Sequence, residues 1–218
     1  MAVADLTLWG VGTPRTMRAH WMLIELGLDY EMRPITSRGG GTRTEEFLAL
    51  NPRHKIPVLR HGDLVIAESA AIITYLSEAF AVPDGFFVPR EPVRRAKLNE
   101  WCSFMMMELD ALSLYVIRRH LDLADEFGAA PNVVEAAKDY FTEQTGALFE
   151  GAVADHDTVM AEGMTVADIL LTTVVDSALR RAIAVPEYLV RYLRPMIERP
   201  AYRDAFERNY SDRPIDPR

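Results

Sequence analysis

Every β-like run in this chain lies ahead of residue 68. Beyond a stretch broken by Pro83, Gly85, Pro89 and Pro92, the apolar periodicity is helical throughout. A strand has to pair and a helix has to bury one face, so this distribution divides the 218 residues into a small α/β domain and an all-α domain. In the first, residues 6–9 form a short apolar strand. Residues 14–26 follow as a helix, with Met17, Trp21 and Ile24 at spacings of three and four. Pro14 suits its first turn and Gly27 its end. Residues 30–35 read as a second strand, and a loop with Gly39, Gly40 and Gly41 leads to a short helix over 45–50, stopped by Asn51–Pro52. The runs 56–60 and 64–67, joined through His61–Gly62–Asp63, read as an antiparallel hairpin, and 69–80 as a helix. One β-α-β unit plus a hairpin gives a four-stranded mixed sheet with helices packed on it. The expected division is a domain over 1–80, a linker over 81–92 and a helical domain over 93–218.

In the helical part, residues 93–120 read as one long helix with a buried seam of Leu98, Trp101, Met105, Leu109, Leu112 and Val116. Further helices are expected over 132–154, 166–181, 187–194 and 201–207. Thr165-Val166-Ala167-Asp168 has the spacing of a helix cap with an acidic residue three positions on. The Thr165 hydroxyl is expected to accept from the Asp168 amide, and the Asp168 carboxylate to reach back to the Thr165 N–H. Met164 and Ile169 stand where a hydrophobic staple pairs them. That spacing accounts for Asp168 as a structural residue.

Composition narrows the classes of function. The formal charge, 24 Lys+Arg against 32 Asp+Glu, is −8, which opposes general nucleic-acid binding. The densest basic cluster, Arg118-Arg119-His120, reads as a solvated helix end. The single cysteine, Cys102, permits neither an intramolecular disulfide nor a cysteine-rich zinc site, and reads as a small buried hydrophobe. The His, Asp and Glu residues show no ligand spacing, so no metal is expected. No apolar run approaches the roughly 20 residues of a membrane span. The opening MAVADLTLWG lacks the basic-then-apolar order of a signal peptide, so a cytoplasmic protein with no membrane partner is expected.

Three connections in the first domain carry chemistry-bearing residues. Thr13-Pro14-Arg15-Thr16 lies between the first strand and the first helix, where thioredoxin-like folds carry a CxxC pair. With threonines at both ends, dithiol–disulfide exchange is excluded, and what remains is a hydroxyl beside a helix N-terminus. Such an end suits an anion, including a thiolate, and it equally suits Thr13 as a plain cap. Ile56–Pro57 opens a strand without a donor on Pro57, which places it at an edge or a strand start. At Glu68–Ser69 a strand end meets a helix start. Ser69 can cap the helix or bind a carboxylate, and Glu68 can pair with an ammonium or stand exposed.

Thr13, Ile56–Pro57, Glu68–Ser69 and Thr165-Val166-Ala167-Asp168, in this order and with these gaps, resemble the cytosolic glutathione S-transferases. The phrases WMLIELGLDY (21–30), NPRHKIPVL (51–59), ESAAIITYL (68–76) and RPAY (199–202) add to the resemblance, which covers nearly the whole chain. It implies a thioredoxin-like domain followed by a helical bundle, glutathione as co-substrate and a homodimer. Ile56 would bind the cysteinyl backbone with Pro57 cis. Glu68 and Ser69 would hold the γ-glutamyl ammonium and carboxylate, and Lys55 and Arg43 would approach glutathione carboxylates. The sulfur-activating position falls on Thr13, with Thr16 as fallback donor and Arg15 as an alternative source of charge. A small apolar electrophile is implied between the domains, against Phe104, Met105, Glu108, Leu112 and Tyr115. The expected activity is transfer of glutathione in detoxification, with glutathione-dependent reduction, dehalogenation or cleavage as secondary activities. The alternative is a non-catalytic glutathione-binding or interaction protein of the same fold.

Overall fold

The computed structural model describes residues 5–146, 150–151, 153 and 157–211. The first elements are β1 (Leu6–Trp9), α1 (Pro14–Glu25), β2 (Glu31–Arg33), α2 (Glu45–Leu50), β3 (Val58–His61), β4 (Leu64–Ala67) and α3 (Ser69–Ala79). The later ones are α4 (Pro92–Phe104), α5 (Pro131–Gln144), α6 (Val166–Leu179), α7 (Glu187–Glu198) and α8 (Pro200–Asn209). Two compact units result, Met1–Asp84 with Ile197–Arg218, and Gly85–Met196.

In the first unit the sheet order is β2-β1-β3-β4. β1 pairs parallel with β2 and antiparallel with β3, and β3 pairs antiparallel with β4. The sheet is covered on both faces, so all four positions of β1 are buried. On one face Phe47 of α2 joins Trp9, Ile56 and Val58 in an apolar cluster. Strand alternation turns Leu8 and Leu59 to the other side, and both are fully buried. α1 packs against α3.

The final helix, expected in the helical domain, belongs to the first unit instead. α8 lies along α1. Tyr202 meets Trp21 edge to face at 5.1 Å, and Arg199 pairs with Glu25, which also accepts from the Trp21 indole at 2.9 Å. The Tyr202–Trp21 and Arg199–Glu25 contacts join residues more than 170 positions apart in sequence, a separation over which periodicity carries no signal.

In the second unit α6 is buried along almost its whole length and packs against α4 and the turns that follow it. Its cap forms as the spacing requires, as a full capping box: the Thr165 hydroxyl accepts from the Asp168 amide and also from the Ala167 amide, the latter at 3.1 Å. The Asp168 carboxylate accepts from Thr165 N at 2.7 Å, Thr165 Oγ at 3.0 Å, Val159 N at 2.8 Å and Tyr192 OH at 2.8 Å. Burial pushes the Asp168 carboxyl up, against the pull of those donors.

The long helix after Pro92 departs from its expected seam. Beyond Phe104 the turns Met105–Leu114 and Arg118–Asp122 are π-type, with the short α-helical turn Tyr115–Ile117 between them. A wide turn uses an extra residue, so the buried face moves to Ser113, Leu114 and Ile117 and leaves Leu112 51% exposed. α7 also runs past its expected end, to Glu198, with Pro195 inside it. The helix expected over 132–154 ends at Gln144, with Thr145 and Gly146 in a turn; residues 147–149, 152 and 154 of that stretch lie outside the described residues. Among the described residues no helix is long and apolar enough to cross a membrane.

Candidate functional site

Strand register brings the three chemistry-bearing connections to one edge of the sheet. Trp9 of β1 faces Val58 of β3, and Val58 faces Ala67 of β4. The chain enters or leaves these strands at the same end. Gly10–Thr13 follows Trp9, Ile56–Pro57 precedes Val58, and Glu68–Ser69 follows Ala67. The Ile56–Pro57 peptide bond is cis. Gly10 has to be glycine here. Its φ is +119°, and a Cβ would lie 2.7 Å from Ile56 Cβ and 2.8 Å from Thr16 Cγ2.

Thr13 and Thr16 form a capping box at the start of α1. Thr13 Oγ accepts from Thr16 N, and Thr16 Oγ accepts from Thr13 N, each at 3.0 Å. The two hydroxyl oxygens are themselves 3.0 Å apart. Thr16 has no exposed surface, whereas Thr13 retains 5%, so Thr13 is the one with an edge a ligand can reach. Arg15 is partly exposed on the first turn.

Asn209, the last residue of α8, closes this cluster. It was not a candidate from sequence, since a lone Asn near a chain end carries no motif. Its Oδ1 accepts from Thr16 Oγ at 2.6 Å and from Gly12 N at 3.2 Å, and its Nδ2 donates to the Thr13 carbonyl at 3.1 Å. The amide orientation follows from backbone groups of fixed role, because Gly12 N can only donate and the Thr13 carbonyl can only accept.

His20 supports the same loop. Its Nε2 donates to the Gly10 carbonyl at 3.0 Å, which leaves Nδ1 to accept from Tyr30 OH at 2.7 Å. Burial, with the Arg208 charge adding a smaller push, lowers this imidazole to about 4, so it is neutral at pH 7. Burial likewise raises Tyr30, over whose ring Arg208 of α8 lies at 5.8 Å.

Glu68 is exposed, at φ 71°, and pairs with Arg53 at 3.1 Å. Ser69 is buried and accepts from the buried Arg18 guanidinium at 3.2 Å, a second polar contact not anticipated from sequence. Lys55 and Arg43 are exposed. Asn51 shapes the turn ahead of Ile56 by donating to the Lys55 carbonyl at 2.8 Å.

The residues proposed for a second substrate are on the helical turns of the second unit. Phe104, Glu108 and Tyr115 are partly exposed and Leu112 is exposed, while Met105 is buried like Leu109. Tyr140 OH donates to Glu108. Burial holds the Cys102 thiol up at about 12, so it is no thiolate at neutral pH. Among the described residues no group of His, Cys, Asp and Glu is placed to hold a metal ion.

Comparison with known proteins gives the same picture. Residues 4–78 match the family model of the glutathione S-transferase N-terminal domain. Glutathione S-transferase D7 of Drosophila melanogaster is 34% identical over 177 residues, which cover 79% of this chain and 75% of that protein. The theta class glutathione S-transferase of Xanthomonas axonopodis pv. citri, solved with glutathione bound, superposes with a TM-score of 0.79. It is 25% identical, over 94% of this chain and 97% of that one. A glutathione transferase homolog from Lodderomyces elongisporus shares the fold at a TM-score of 0.83 and 22% identity, over 93% of this chain and 98% of that one. Identity on this scale over most of both chains, with the fold in common, shows that the chain belongs to the glutathione S-transferase family.

Proposed function

We propose that this protein binds glutathione along the edge formed by Thr13, Ile56–Pro57 and Glu68–Ser69 and transfers its sulfur to small apolar electrophiles. The observation that carries the reading is the convergence of these three connections at one end of the sheet, with the Thr13 hydroxyl beside the N-terminus of α1. The Ile56 backbone would pair with the cysteinyl unit. Ser69, with Arg18 behind it, would take the γ-glutamyl carboxylate, and Glu68 the ammonium. Lys55 and Arg43 would serve the glycine end. Phe104, Glu108, Leu112 and Tyr115 would meet the electrophile, with Met105 packed behind them. We assign the protein to the cytoplasm, as a homodimer acting in detoxification.

The chemistry is set by the thiol. Free, it titrates near pH 8.5, and lowering that by two requires roughly 2.7 kcal/mol of preferential thiolate stabilisation. A hydrogen bond from Thr13 Oγ to the anion supplies about 1.5–3 kcal/mol, and the α1 dipole up to about 1 kcal/mol. Thr13 donates and does not act as a base; the thiol proton leaves to solvent. The thiolate sulfur then forms the new bond to carbon, and the leaving group departs with its electron pair.

Retention on immobilised glutathione together with turnover of chlorodinitrobenzene is the expected result. Thr13→Val should lower kcat/KM about thirtyfold, the equivalent of one charge-assisted hydrogen bond of roughly 2 kcal/mol. Glu68→Gln should weaken glutathione binding. Absence of glutathione binding would sink the reading. Binding without turnover of any electrophile or hydroperoxide would establish the second reading, a non-catalytic glutathione-binding protein. The burial of Thr13 and the engagement of its hydroxyl by Thr16 favour that second reading.

A further inference from the structure

Hydrogen counting around the first helix cap assigns a role to Asn209. The Thr13 carbonyl has two lone pairs, and both are occupied, by Met17 N at 3.0 Å and by Asn209 Nδ2 at 3.1 Å. Thr16 Oγ lies 2.8 Å from that carbonyl oxygen and 2.6 Å from Asn209 Oδ1, so its proton is directed to Asn209. Thr16 Oγ then accepts from Thr13 N, and Thr13 Oγ accepts from Thr16 N. The Gly12 amide is divided between the Asn209 carbonyl oxygen at 2.9 Å and Oδ1 at 3.2 Å. One proton in the cluster is left with a choice, that of the Thr13 hydroxyl. It can turn inward to Thr16 Oγ at 3.0 Å or outward to an arriving anion, and turning outward breaks no other bond.

We infer that Asn209 is a positioning residue for sulfur activation: it binds the Thr16 hydroxyl, the Thr13 carbonyl and the Gly12 amide at once, and so holds the Thr13 hydroxyl where it can donate a hydrogen bond to the glutathione thiolate. The inference rests on the proposed glutathione reading and deepens it. It brings a residue from the last helix into the chemistry of the first. Without the Asn209 amide, the Thr16 proton turns onto the oxygens of Thr13, and Gly12–Thr13 loses its side-chain tether to α8. A buried asparagine that serves only packing would affect stability and leave the sulfur's titration where it is.

The test uses the full-length protein and the pH profile of kcat/KM, with the ultraviolet absorbance of bound glutathione thiolate as a second readout. Asn209→Leu and, separately, Thr16→Val should each move the apparent thiol pKa up by about 1, a roughly tenfold loss of kcat/KM below that pKa, with KM for glutathione changed less than threefold. The double variant should lose no more than either single one, because both act through the same hydroxyl. Thr16→Ser, which keeps the hydroxyl, should restore the wild-type profile. Glu207→Ala, an exposed change on α8, should leave it untouched. If the wild type ionises bound glutathione and both Asn209→Leu and Thr16→Val keep its profile, the inference is overturned while the glutathione reading stands. If the wild type never binds the thiolate, both fall. Should Asn209→Leu fail to fold, Thr16→Val against Thr16→Ser decides alone.

Discussion

The molecule contains two helix caps built to one plan, Thr13–Thr16 at α1 and Thr165–Asp168 at α6, and they end in opposite states. At α6 the third cap position is a carboxylate, an acceptor only, and it absorbs four donors. At α1 the third position is a hydroxyl, which brings a proton of its own and needs an outside acceptor, Asn209. One cap is saturated and structural. The other carries a hydroxyl proton that can still be redirected. The difference teaches that a capping box is inert or reactive according to whether its side chains supply more protons than they consume.

The comparison is broken most severely at the saturated end. Asp168→Ala should destabilise the protein by roughly 3 kcal/mol or more, because several buried donors lose their acceptor at once. Urea unfolding measures this, and an unchanged midpoint would mean the α6 cap is not the anchor it looks like. Acid acts on the other end. His20 is held near 4 when folded against 6.5 when unfolded, so below pH 6.5 the unfolded chain takes up the proton first. Stability on this account is complete above pH 6.5 and falls by about 3 kcal/mol as the pH approaches 4. In NMR titration the His20 ring should stay neutral until about pH 4. Titration near 6.5 would remove His20 from the support of the loop. Next in size is Thr13→Val, with its thirtyfold loss of turnover and about 1 kcal/mol of cap stability, whereas Thr13→Ser should keep most of both. The smallest effect belongs to the exposed Arg53–Glu68 pair. Arg53→Ala frees the Glu68 carboxylate for the γ-glutamyl ammonium and should tighten glutathione binding no more than about fivefold by calorimetry, the scale of a surface ion pair.

Both caps can be read in the chain, because each is encoded within four residues: Thr13 to Thr16 and Thr165 to Asp168. The same holds for α2, β4 and the start of α3, whose limits are local turn and cap signals. What escapes a reading of the sequence is long in range or out of phase. Asn209 reaches Thr16 across 193 positions. Arg199 and Tyr202, visible only as part of a family phrase, turn out to grip Glu25 and Trp21. The π-type turns after Phe104 displace the seam by one residue, and periodicity at a fixed spacing places Leu112 on the wrong side of it. Arg18 is a charged residue on a buried helix face, and its partner Ser69 lies 51 positions on.

The seating of α8 on α1 has a consequence for how the protein is made. A ribosome adding about 5–20 residues per second would deliver Asn209 roughly 10–40 s after Thr16. During that interval the nascent sheet and its first helix exist without the strap that completes them. The Gly10–Thr16 segment is therefore made well before the residue that locks it, so a chain that stops ahead of Asn209 keeps its first helix cap unlatched.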